Sequence, residues 1–298
     1  MRISDAPELQ FPMFLFILHT YIIILAGNLT IFVLVCLDRH LHSPMYFFLC
    51  NLAFLDMFFS SVSLHRVFTN FVTGDTRISF QACISQMFLF ATLACDELMI
   101  LTAMSFDRYV AICRPLQYNM IMGRKTCVFL TASCWVIGFL EVLNLLVQLL
   151  GITCFKSKTI NHFFCDTIQL VRLPCIRAFS LELVIFVNAI FLVTCPFLFT
   201  CIPYVFIVYT VLKMNSSTGR QKTFYTCSSH LAVVILLYTS VVCQYITPLH
   251  GDVSSKYYSL LNTAVAPLLN PLIYSLKNKD VKNAIKRRWR MIFLKLGP

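Results

Sequence analysis

Residues 81–113 read QACISQMFLFATLACDELMILTAMSFDRYVAIC, and whether they cross a membrane decides the fold of the whole chain. The stretch is apolar but interrupted by Asp96, Glu97, Asp107 and Arg108. As a helix, Cys83 to Arg108 would rise about 38 Å, enough to cross a hydrocarbon core about 30 Å thick. An amphipathic surface helix would need a continuous charged face. Four charges in two clusters do not make one, so the stretch is a span.

Working outward, further apolar runs lie near 11–37, 44–72, 125–150, 181–213, 223–248 and 257–276. The expected fold is an all-α membrane protein, a seven-transmembrane helix bundle with a short amphipathic helix at 280–296. At roughly 20 residues per crossing, seven spans nearly exhaust the chain, so 1–298 is one seven-transmembrane domain. Composition agrees. Of the 298 residues, 58% are hydrophobic and 12% charged, too few charges to clothe a core in water.

Charge sets the orientation. Arg39, Arg108, Arg114, Arg124, Lys125, Lys213, Arg220 and Lys222 fall on one side with the tail, Lys277 to Lys295. That side holds 16 of the 24 basic residues and only Asp38, Asp107 and Asp280 among the acids. Positive charge marks the cytoplasm, so a plasma-membrane protein with its N-terminus outside and C-terminus cytoplasmic is expected. No cleavable signal peptide precedes the first span, which is expected to act as the insertion signal. In the tail, Val281, Ala284, Ile285, Trp289, Ile292, Phe293 and Leu296 recur at helical spacing between lysines and arginines. This reads as a basic helix lying on anionic membrane lipid. Because it directly follows a span, nucleic acid is not an expected partner.

The cysteines divide by place. Ten lie in or beside apolar runs, where a free cysteine is a soft packing residue. Cys83, Cys154, Cys165 and Cys175 instead lie at the start of a span or in one polar loop, which points to disulfides and an oxidising side. Inside the membrane, Asp56 and Glu97 are costly to bury and so mark function. Glu97 and Arg108 share one helical face, and a stripe through Phe90, Ala94, Glu97, Leu101 and Ser105 is expected to line the bundle core. Asp96 points elsewhere, toward a neighbouring helix. The chain has only 8 glycines and no self-similar halves, which argues against a transporter. No filter-like loop argues for a channel, and no nucleophile–base set for an enzyme.

Asn28, Asp56, Asp107-Arg108-Tyr109, Trp135 and Asn270-Pro271-Leu272-Ile273-Tyr274 occur in order at the proper ends of the spans. Together they resemble the rhodopsin-like (class A) G-protein-coupled receptors. Longer strings are similar to odorant (olfactory) receptors: Leu41-His42-Ser43-Pro44-Met45-Tyr46-Phe47-Phe48-Leu49, then Met104-Ser105-Phe106-Asp107-Arg108-Tyr109-Val110-Ala111-Ile112-Cys113. Thr226-Cys227-Ser228-Ser229-His230 and the run from Pro267 to Asn278 extend the likeness over nearly the whole chain. The chain departs from that pattern at His65, Ala91, Pro203 and Leu237-Tyr238-Thr239, and its outer segment from Met1 carries no glycosylation site.

The resemblance implies an odorant receptor that binds a small volatile and activates a stimulatory olfactory-type G protein, raising cyclic AMP. A receptor used outside the nose, or one deficient in signalling, is the alternative. The residues implied for coupling are Asp107, Arg108, Tyr109, Tyr204, Asn270, Pro271 and Tyr274. The string Asn161-His162-Phe163-Phe164-Cys165-Asp166 implies pairing of Cys83 with Cys165, leaving Cys154 with Cys175. The implied ligand pocket comprises Phe90, Ala91, Ala94 and Cys95 on the third span, and Ile185, Asn188 and Leu192 on the fifth. Tyr238, Val241, Val242 and Tyr245 on the sixth, with Leu260 and Thr263 on the seventh, complete it. This set holds no charged side chain, so neutral ligands are expected. No organic cofactor is expected, but Asp56 and Glu97, with Asn270 near, are expected to hold Na⁺ or a proton between them.

Overall fold

The computed structural model describes residues 7–152, 154–155, 157, 159–160, 162–171, 173, 175, 183, 187–188, 190–246 and 252–296. At 7, 192, 222, 225–226, 229, 244–246, 252–257, 274–277, 279 and 291–296 the description is of backbone alone. Seven long helices run in order: α1 Pro7–Leu37, α2 Pro44–Thr73, α3 Phe80–Cys113, α4 Arg124–Leu150, α5 Cys195–Leu212, α6 Ser217–Ile246 and α7 Asp252–Lys277. An eighth, α8, covers Lys279–Leu296. A π-helical turn, Ile190–Thr194, leads into α5. Six of the nine positions 181–189 of the expected fifth span lie outside the described residues, Ile185 among them.

Local chemistry sets the ends. Pro44 occupies the first turn of α2, where its missing N–H costs nothing, and Gly74 closes that helix in the left-handed region at φ 70°. Ser79 caps α3 by accepting from the Ala82 amide at 3.2 Å. α6 begins at Ser217 rather than near 223, because its first turns are polar and continue the helix beyond the apolar segment. Within the helices, Thr20, Thr30, Ser60 and Ser63 donate to carbonyls four residues back, which satisfies each hydroxyl inside its own helix.

α3 is the axis of the bundle. It packs on α2, α4, α5 and α6, and 67% of its most apolar window is buried, against 28% for α4. α1 lies on α2 and α7, and α6 joins α7 to α5. The expected stripe faces inward: Phe90, Glu97, Leu101 and Ser105 are buried and Ala94 is half-buried. Outward faces of α4 and α5 present Phe129, Leu140, Phe199 and Val205, as a lipid-facing surface requires.

The two ends differ in construction. At one, disulfides join Cys83 to Cys165 and Cys154 to Cys175, the pairing implied by the resemblance. Gln86 adds a second tether, donating to Val62 O at 2.8 Å and accepting from the Cys165 amide at 3.2 Å. At the other end, α8 buries Val281 and Ala284 against the bundle, while Trp289 is exposed. Arg287 donates to Asp38 at 2.7 Å, Arg288 to the Leu37 carbonyl, and Tyr46 to Asn278 and Asp280 at 3.0 and 3.1 Å.

Candidate functional site

Three layers stack along the bundle from the disulfide end to the Arg108 end. The first contains the implied ligand residues. Phe90 is buried between Phe59 and Phe164, each 4.6 Å away by ring centroid, so it locks the loop to the helices. Ala91 packs against the cluster around Cys83 and Cys165, Ala94 against the main core, and Cys95 is buried. Asn188 is buried, and among the described residues its side-chain nitrogen has no acceptor, which leaves an amide N–H for another molecule. On α6, Tyr238 and Val241 are buried, whereas Val242 is 43% exposed, because one residue step turns it 100° off that face. Thr263 is buried and donates to Ser259 O at 2.9 Å, and Leu260 is half-buried on the core. Leu192 lies on the π turn, but its side chain, like that of Tyr245, is outside the described residues.

Sequence reading missed several contacts between helices, some of them on the Arg108 side of Glu97. Thr102 and Thr200 share a hydrogen bond of 3.0 Å between α3 and α5, and the Tyr238 hydroxyl faces that pair without an ordinary hydrogen bond to it. Tyr238 also packs edge-on to Phe197 at 5.0 Å. Ser240 donates to Asn262 at 2.9 Å, joining α6 to α7. A cavity of about 520 Å³ opens elsewhere, between α3, α4 and α5, lined by Met99, Phe106, Ser133 and Phe206 among others. None of the implied ligand residues lines it.

The second layer is a polar core. Asp56 is fully buried, and the Asn270 amide donates to both of its oxygens at 3.1 and 3.0 Å. Glu97 lies within electrostatic reach of Asp56, against the same Asn270. Its Oε1, with Asn28 Oδ1 and Asn270 Oδ1, has no hydrogen-bond partner. The two acids, with the unpartnered Glu97 Oε1 and the Asn270 Oδ1 beside them, offer the oxygen ligands that a hard cation takes. The helix that supplies Asn270 carries Pro267 and Pro271 in its interior. Pro271 has no N–H, so the carbonyl of Pro267 loses its helical donor. Asn28 supplies the donor instead, at 3.1 Å. Gly27 beside it lets α7 approach, since a β-carbon there would lie 3.1 Å from the Pro271 ring.

The third layer is the charged end. Asp107 is fully buried and accepts from Arg108 Nε at 3.0 Å, from Arg108 Nη2, and from the Tyr118 hydroxyl at 2.8 Å. Tyr118 comes from the short helix Tyr118–Ile121, so one carboxylate ties the α3–α4 connection to the Arg108 pair. Burial, and then the Asp107 charge, hold the Tyr118 phenol above its ordinary value, so it stays a donor. Tyr109 packs on Phe206 at 5.8 Å. Tyr204 hydrogen-bonds His230 Nδ1, with the two rings stacked at 5.9 Å. His230 had been visible only as part of a string. Its role depends on α5, which no spacing within α6 can disclose. The Tyr274 side chain lies outside the described residues.

Comparisons with known proteins place this architecture. The olfactory receptor family profile matches residues 16–292. Olfactory receptor 6C3 of Homo sapiens is 42% identical over 288 residues, 96% of this chain and 93% of the relative. Olfactory receptor 8I2 of Homo sapiens is 42% identical over 301 residues, 99% of this chain and 94% of the relative. The crystal structure of squid rhodopsin superposes with a TM-score of 0.77 at 19% identity, over 97% of this chain and 88% of that one, which speaks for the fold. The chain therefore belongs to the olfactory receptor family, multi-pass membrane receptors of the rhodopsin fold that signal rather than catalyse.

Proposed function

We propose that this receptor binds a small neutral volatile in the first layer and activates a stimulatory olfactory-type G protein, raising cyclic AMP. The disulfide end then faces outside and the Arg108 end the cytoplasm, as the basic residues favour. The observation that carries the reading is Arg108 itself. It is held by Asp107 in a pair that a swing of the Arg108 side chain away from Asp107 can break, so the cation is available to a G protein in one state only. On the ligand side, the buried amide of Asn188, with no acceptor among the described residues, favours one hydrogen bond alongside apolar contact. Alcohols, ketones and esters suit it, and ions lacking a counter-charge do not. In the polar core, Asp56, Glu97 and Asn270 would hold Na⁺, which neutralises the two acids and stabilises the resting arrangement of α2, α3 and α7. Glu97→Gln should then abolish any sodium dependence of signalling. The test is a cyclic AMP reporter with surface staining and a volatile panel of matched neutral, carboxylate and amine compounds. Asn188→Ala and Tyr245→Phe should weaken neutral agonists. Ionised compounds as the best agonists, with neither variant moving a potency, would defeat the reading.

A further inference from the structure

The cavity between α3, α4 and α5 belongs to none of the three layers. It holds about 520 Å³ and its wall is almost wholly apolar. Small side chains open it: Ala103 on α3 and Ser133 and Cys134 on α4 stand opposite Phe199 and Phe206 on α5. Its α3–α5 side is closed by cross-bonds, Thr102 with Thr200 at 3.0 Å toward one end and Cys113 with Thr210 at 3.2 Å toward the other. α4 and α5 both pack on α3 but scarcely touch each other, so the cavity opens sideways between them. In a membrane-spanning bundle that direction is the bilayer.

Depth decides what reaches it. Along α5, Phe206 and Phe199 lie about 10 and 21 Å from Lys213; along α4, Leu130 and Ile137 lie about 9 and 20 Å from Arg124. The hydrocarbon of one leaflet is about 15 Å deep. The cavity thus begins among the acyl chains of one leaflet and ends near the midplane. Its mouth is basic. Arg114 caps α3, Arg124 opens α4 and Lys213 caps α5, and all three are exposed. Lys213 is seven residues beyond Phe206, hence on the same face of α5, with its ammonium 4.2 Å from the Tyr209 ring centroid. Among the described residues none of the three cations is in an ion pair. The acid nearest them in sequence, Asp107, is already held by Arg108 and Tyr118.

We propose that this cavity binds an anionic phospholipid of the leaflet on the Arg108 side: one acyl chain enters between α4 and α5, and the phosphate meets Lys213 and Arg114. A sterol would fill the apolar space and leave the cations unmatched, and a choline headgroup brings a cation of its own. That this leaflet is the cytoplasmic one rests on the orientation proposed above; the site does not. Tyr109, next to Arg108, lines the same cavity, so the seated chain packs on the helix turn that carries the switch.

The test uses the full-length receptor in bilayer discs whose two leaflets have one composition, so the outcome is independent of orientation. The probes are phosphatidylglycerol and phosphatidylcholine carrying the same photoreactive diazirine at mid-chain, read by peptide mapping. Phosphatidylglycerol should label Met99, Ala103 and Cys134 several-fold more than the outward Phe129, Leu140 and Val205, and several-fold more than phosphatidylcholine does. Arg114→Gln with Lys213→Gln should remove that headgroup preference, and Ser133→Phe, which fills the space, should remove labelling of the cavity. Plain phosphatidylglycerol should also raise the melting temperature of the wild type more than that of the double variant. Labelling spread evenly over the lipid-facing residues, equal labelling by the two headgroups, or stronger labelling of the cavity by a sterol diazirine overturns the proposal. Unchanged labelling in Ser133→Phe does the same. Should that variant not fold, the two glutamine substitutions, at exposed positions, still decide.

Discussion

The disulfide end is joined by two covalent bridges and a stack in which Phe90 sits between Phe59 and Phe164. The Arg108 end is joined by hydrogen bonds and ion pairs: Asp107 with Arg108 and Tyr118, Tyr204 with His230, and Asp38 with Arg287. Covalent bridges hold one geometry, whereas charge-assisted hydrogen bonds exchange partners at a cost of a few kcal/mol. A receptor needs both. The pocket must keep its shape while the far end moves between two arrangements.

If that contrast is right, the largest effect on signalling comes from the exchangeable end. Arg108→Ala should remove ligand-driven cyclic AMP while surface staining stays near wild type, and a normal response from well-expressed variant would break the comparison. The largest effect on stability comes from the covalent end. Cys165→Ser should cost on the order of 2–5 kcal/mol and reduce surface delivery. Cys154→Ser should cost about 1 kcal/mol less, because its bridge closes 21 residues rather than 82. Non-reducing peptide mapping and thermal unfolding read both.

Between the ends, Asn28→Ala strips the Pro267 carbonyl of its donor and should cost about 1–3 kcal/mol in thermal unfolding. No loss would mean that water serves that carbonyl. The smallest effect belongs to Asp38→Asn, which unlatches α8. The Arg287 side chain is 41% exposed, so solvent screening keeps the loss below about 1 kcal/mol, seen as faster hydrogen exchange in α8. Burial alone would raise the Asp38 carboxyl, but hydrogen bonds from Arg287 and His40 and the Arg287 charge hold it well below the ordinary carboxylate range. A depressed carboxyl stabilises fully above the unfolded value near ~4 and loses that only in stronger acid, so α8 exchange should be flat across neutral pH.

How far the sequence could be read depends on how far apart the partners lie. The α3 stripe was legible because helical period alone puts Glu97 and Arg108 on one face. The bridge from Cys83 to Cys165 was legible through the string around Cys165. Asp96 could be turned away from the axis, but its seat on Gly138 needs the placement of α4, and glycine carries no periodic signal. The same limit hid Tyr204 with His230, Thr102 with Thr200 and Ser240 with Asn262. Each pair joins two helices, and a helical period tells which way a side chain faces without telling what it meets.

The hydroxyls that bond back along their own helices have a mechanical consequence. Thr20, Thr30, Ser60 and Ser63 each donate to the carbonyl one turn before them. A polar side chain settled in this way does not snag on its neighbour when two helices slide. The bundle therefore has low friction over most of its length, and resistance is concentrated at the few bonds that cross between helices. Thr102 with Thr200, Ser240 with Asn262, Asn28 with Pro267, Asn270 with Asp56, Gln86 with Val62 and Tyr204 with His230 are among those catches, and the order in which they let go sets the path of any rearrangement.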